Sequence, residues 1–96
     1  MPKITPLGVV RQATMMARRS LDAAEDTRNL LGEEKAERAT DALVFAKEVR
    51  IWAEYADQCN WTTAARHCWA QYELAQEGSD IWISATCGLA NPAKSL

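Results

Sequence analysis

Ninety-six residues are enough for one domain and too few for two. A hydrophobic share of 48% with 25% charged residues excludes a disordered chain. The net charge of −2 argues against nucleic-acid binding by bulk charge, which needs clustered Lys and Arg.

The charge does not divide sharply along the chain: residues 1–48 hold eight basic and eight acidic side chains, and residues 49–96 hold three and five. The start does not read as a secretory signal, because Arg11 interrupts the short apolar run Leu7–Val10. No uninterrupted apolar stretch approaches the ~20 residues that cross a bilayer. Three cysteines, at 59, 68 and 87, leave an odd thiol and no dense disulfide framework. The expected setting is a reducing cytoplasm.

In chain order, residues 1–5 read as a lead-in. Thr5-Pro6 reads as an N-cap followed by proline at the first helical position, where the missing N–H costs nothing. Helix 1 is predicted over 6–31. Leu7, Val10, Ala17, Leu21, Ala24 and Leu31 form one seam; Val9, Ala13, Met16, Ala23 and Leu30 form a second. Gly32 reads as the left-handed stop of this helix. Glu33 and Glu34 then favour the positive end of the next helix dipole.

Helix 2 is predicted over 33–59. Ala42, Phe45, Val49, Trp52, Ala56 and Cys59 form its main seam, and Leu43, Val44, Ile51 and Tyr55 lie off it. Asp57-Gln58-Cys59-Asn60 is a polar break after which Asn60 or Thr62 caps helix 3, predicted over 62–77. Its inner face is Trp61, Ala64, Ala65, Cys68, Trp69, Tyr72 and Ala75. Gly78-Ser79-Asp80 reads as a turn, followed by a short fourth helix over 80–89 and a tail over 90–96. Alternating Ile81, Ile83, Ala85 and Cys87 also suit a strand, but a lone strand leaves its backbone groups unpaired. The expected fold is all-α: a small bundle built on a long antiparallel helical hairpin, with a third helix and a short fourth element.

Metal binding is weighed first, because Cys59, His67, Cys68 and Cys87 offer three thiols and an imidazole. Their spacing lacks the close pairs on turns typical of zinc sites, so no metal is expected. Adjacent His67 and Cys68 diverge by about 100° on a helix and are not placed to share a proton as a nucleophile and base. No phosphate loop or nucleophile elbow occurs, and neither catalytic residues nor a cofactor are expected.

The segment Trp52-Ala-Glu-Tyr-Ala-Asp-Gln-Cys-Asn-Trp-Thr-Thr-Ala-Ala-Arg66 loosely resembles the opening of helix-turn-helix units in phage packaging and transposase proteins. That resemblance implies a DNA-binding unit over residues 52–77. The sequence departs from it at Trp69, where a tight turn belongs, and in Gln71–Glu77, which carries two acids and no Lys or Arg.

The favoured expectation is a non-catalytic interaction module: a small regulator, inhibitor or adaptor that docks on a partner protein, or a homodimer. Its motive is apolar surface beyond what one small core absorbs. Leu43, Val44, Ile51 and Tyr55 are the expected contact residues, with Arg28 and Arg50 beside them as a residue type enriched at interface hot spots.

Overall fold

The computed structural model describes the backbone of residues 3–87 and the side chains of residues 3–78. It is all-helical over those residues: α1 (Pro6–Asp26), a single 3-10 turn (Thr27–Asn29), α2 (Gly32–Gln58) and α3 (Thr62–Cys87), each long helix packing on the other two. No helix among the described residues is long and apolar enough to cross a membrane.

α1 starts as its sequence dictates. The Thr5 hydroxyl oxygen accepts the Gly8 N–H at 3.0 Å, and Pro6 opens the first turn. It ends earlier than the predicted 31. The Thr27 hydroxyl donates to Ala24 O at 2.5 Å, and its backbone N–H bonds Ala24 O and Glu25 O, tightening the last turn. Leu30 and Leu31 then adopt extended backbone. Helical spacing therefore does not reach Leu31, which is 85% exposed and not in the seam. Leu7, also expected inside, is 59% exposed, and the buried stripe is Val9, Ala13, Ala17, Ser20, Ala23 and Ala24. Gly32 does take the left-handed conformation, with φ +58°, but it opens α2 where helix 1 was expected to stop.

The join between α2 and α3 is closed from the α2 side. Trp61 N–H bonds Ala56 O and Asn60 N–H bonds Asp57 O, both at 3.0 Å, the paired bonds of a Schellman ending. Asn60 sits at φ 61°, a conformation that Asn tolerates better than most side chains. Asn60 thus terminates α2; the expectation that it caps helix 3 is replaced. Trp61 packs edge-on against Tyr55, with ring centroids 5.9 Å apart, the apolar contact that accompanies such endings.

The turn expected at Gly78-Ser79-Asp80 does not form, and neither a separate fourth helix nor a strand is present over 80–87. α3 continues through Gly78 to Cys87. The physical reason is packing: a Cβ on Gly78 would run into Leu21 Cδ2 of α1, so glycine serves close helix approach here and not chain reversal. The rest of the predicted fourth helix and the tail over 90–96 lie outside the described residues. Gly78→Ala alone should change stability by less than about 1 kcal/mol, since the ~1 kcal/mol helix-propensity gain is offset by displacing Leu21. In a Leu21→Ala background the same substitution should stabilise by about 1 kcal/mol. Equal effects in the two backgrounds, measured by urea unfolding, would refute the close-approach explanation.

The core is made of small side chains. Among the described residues, eleven of the fourteen buried apolar side chains are alanine; the others are Val9, Val49 and Cys68. Phe45, Trp52, Tyr55, Trp61, Trp69 and Tyr72 are half-buried around it. Two of the expected seam residues of α2, Phe45 and Trp52, therefore form a rim, while Ala46 and Ala53 fill the centre with Ala42, Val49 and Ala56. The Ser20 hydroxyl, buried between α1 and α2, donates to Ala42 O at 2.6 Å. Arg38 binds Asp26 at 3.0 Å and Asp41 at 3.3 Å, holding the end of α1 to α2. Those two carboxylates, Asp26 first, raise the Arg38 guanidinium above its ordinary pKa.

Candidate functional site: the solvent face of α2

Ala42, Ala46, Val49, Ala53 and Ala56 point into the bundle, so the opposite side of α2 is solvent-facing along its length. Val44 and Ile51 lie on that side seven residues apart, which is close to two turns, and Tyr55 follows one turn later. Val44 is 47% exposed, Ile51 62% exposed and Tyr55 half-buried. Leu43, 46% exposed, is turned by about 100° from Val44. It lines a shallow hollow at the α2–α3 junction with Ala46, Lys47, Tyr72 and Gln76. The structure thus places Val44, Ile51 and Tyr55 along one side of α2, with Leu43 apart from them at the α2–α3 junction.

Arg50 borders this surface. Its Nε donates to Glu54 Oε1 at 2.7 Å, and Glu54, ahead of Tyr72, holds the guanidinium above its ordinary pKa. The pair is solvent-exposed, so it orients the arginine more than it stabilises the fold. Arg28 is not brought to the strip. It lies in the 3-10 turn, and at ~1.5 Å rise per residue the chain from Gly32 to Leu43 alone spans roughly 16 Å.

Sequence reading left out Lys47 and Glu48. They stand three and four residues from Val44 and from Ile51, so helical spacing alone places them on either side of the aliphatic strip. Tyr72 and Gln76 of α3 had no such signal, because only tertiary packing brings them beside Leu43 and Lys47.

The side chains weighed for chemistry are dispersed. Among the described residues no three His, Cys, Asp or Glu side chains are placed to hold a metal ion. Cys68 is fully buried under α1, its thiol 3.9 Å from Val9 O, while the neighbouring His67 is exposed beside Pro6, Leu7, Val10, Thr63 and Ala64. Cys59 is half-buried at the α2–α3 turn, and the Cys87 side chain lies outside the described residues. Burial, and next to it the Cys59 thiol, pushes the Tyr55 hydroxyl above its usual pKa.

Burial, with a smaller contribution from the charge of Asp57, pushes the Cys68 thiol up as well. A pKa raised in the folded state means the fold binds this proton more tightly than the unfolded chain does. Its stabilising contribution is complete below the unfolded thiol value of about 8.5 and is lost as pH rises toward the folded value. Unfolding midpoints should therefore fall above about pH 9, and less steeply in Cys68→Ser, which has no thiol to ionise at that site. In a Cys87→Ser background, a thiol reagent should modify Cys59 well before Cys68. Labelling in the reverse order would contradict the buried placement of Cys68.

The helix-turn-helix resemblance needs a turn near Trp69 between two short helices. α3 runs unbroken through that point, and the Trp69 indole N–H donates to Asp57 Oδ2 at 2.7 Å. Compared with known protein families, with curated proteins and with solved structures, the chain matches none of them.

Proposed function

We propose that this protein is a non-catalytic cytoplasmic interaction module that docks on another protein chain through the solvent face of α2. The carrying observation is the exposure of Leu43, Val44 and Ile51 on α2, a helix whose inner side supplies four of the eleven buried alanines among the described residues. Three large aliphatic side chains left about half in water on one helix forgo burial worth about 1 kcal/mol each, which a docked chain recovers. Half-buried Tyr55 and the oriented Arg50 add side chains of the type enriched in binding hot spots.

A long antiparallel hairpin of α1 and α2 is the scaffold in this reading. The contacts Asp26–Arg38 and Ser20–Ala42 favour it, since one partner's number falls as the other's rises. A hairpin presents α2 as a stiff ridge, and a pre-formed ridge loses little entropy on docking. Regulation or inhibition by occupying a partner's surface follows from such a ridge without any reaction.

The test is native mass spectrometry of tagged protein recovered gently from its own host, wild type beside Ile51→Asp. A second bound chain, this one or another, that disappears with Ile51→Asp while helical circular dichroism is unchanged supports the reading. Binding that survives Ile51→Asp and Val44→Asp together would remove this face from the function.

A further inference from the structure

We infer that the occupant of the α2 face is a second copy of this chain, related by a two-fold axis passing near Ile51. The inference rests on the docking role proposed above and commits it to one partner. Its basis is the charge pattern around the aliphatic strip. Lys47 and Glu48 flank the line from Val44 to Ile51 on opposite sides, and neither has an ion-pair partner among the described residues. Glu54 lies on the Lys47 side, seven residues on, with Oε1 engaged by Arg50 and Oε2 in no recorded bond.

A two-fold axis makes a surface meet itself, so every charge must find its complement within the same patch. With α2 antiparallel to its copy and Ile51 at the centre, residues whose numbers sum to about 102 face each other. Antiparallel packing also pairs like flanks, so Lys47 meets the copy's Glu54 twice, and Glu48 meets the copy's Tyr55 hydroxyl twice. With the helices parallel, unlike flanks pair. Lys47 then meets the copy's Glu48, again twice, and Val44 and Ile51 each meet their own copies. In both alignments the free lysine reaches a carboxylate; the antiparallel one sets no like charges against each other, whereas the parallel one also brings Glu37, seven residues before Val44, against its own copy. Few aliphatic residues are involved, so the dimer is a weak one, at the low end of interface size.

The experiment is sedimentation velocity of the full chain from about 1 µM to about 1 mM, at low and high salt, spanning the affinity range of weak dimers. The expected result is a reversible dimer whose dissociation constant rises with salt, about 100-fold in Ile51→Asp and about 10-fold in Lys47→Glu. Lys47→Glu should be rescued by Glu54→Lys if the helices are antiparallel and by Glu48→Lys if they are parallel; rescue by neither overturns the charge pairing. A chain that stays monomeric throughout overturns the self-association. If it nevertheless binds a different protein through Ile51, the docking role stands and only the identity of the partner falls. A dimer indifferent to both Ile51→Asp and Lys47→Glu overturns the assignment of this face.

Discussion

Ala53→Leu is expected to cost about 2–3 kcal/mol, near the upper end for overpacking a closed site. Ala53 is fully inaccessible in the middle of α2 and belongs to the same buried cluster as Val9, Ala13 and Ala17 of α1 and Ala64 and Ala65 of α3. Alanines at these positions let the helices approach closely, and a leucine there must push a neighbour away or leave its preferred rotamer. For a domain of this size the midpoint of thermal unfolding should drop by roughly 10–20 °C. Ala36→Leu on the exposed side of the same helix adds the same atoms and should stay within about 0.5 kcal/mol. A cost below about 1 kcal/mol at Ala53 would mean that the helices separate easily, contrary to a core filled by alanine.

Trp69→Ala should be comparably damaging, at about 2–3 kcal/mol, although Trp69 is only half-buried. It makes two distinct connections. Its ring meets Tyr72 edge-on at a centroid distance of 5.8 Å, and its indole N–H donates to Asp57 at 2.7 Å, tying α3 to the last turn of α2. The second is a hydrogen bond to a carboxylate in a solvent-exposed position, where it contributes about 1–1.5 kcal/mol. Trp69→Phe keeps most of the ring packing and loses only that bond, so it should account for about half of the Trp69→Ala loss. Asp57→Ala, Trp69→Phe and the double variant complete a cycle whose coupling should be at least 1 kcal/mol. Strict additivity would show that the bond contributes nothing in solution.

The two effects have a common origin. With the centre filled by alanine, most of the large apolar area sits in a ring of half-buried aromatics: Trp52, Tyr55 and Trp61 at the α2–α3 turn, and Trp69 and Tyr72 along α3. The bundle is thus held at its rim by large side chains and kept narrow at its centre by small ones. A narrow bundle also explains the exposed strip on α2. Small core residues use only one side of the helix, so Val44 and Ile51 fall on the other side and Leu43 stays half-exposed at the edge of the α2–α3 junction.

Much of this was written locally in the chain. Thr5-Pro6, the acids Glu33 and Glu34, and the 3.6-residue spacing of Ala42, Val49 and Ala56 specify where helices start and which side turns inward, because these effects act within a turn or two. The all-helical class followed from them, as did the position of Leu43, Val44 and Ile51 off the buried side of α2. Tertiary structure decided the rest. Periodicity assigns a direction and not a depth, so it placed Leu7 and Leu31 in the core beside Ala13 and left Ala46 and Ala53 out of the seam of helix 2. Glycine has two uses that look alike in sequence. At Gly32 its left-handed backbone was needed, and at Gly78 its missing Cβ was needed, because Leu21, fifty-seven residues earlier, occupies that space. Nothing local distinguishes these cases, since the second depends on which helix lies alongside.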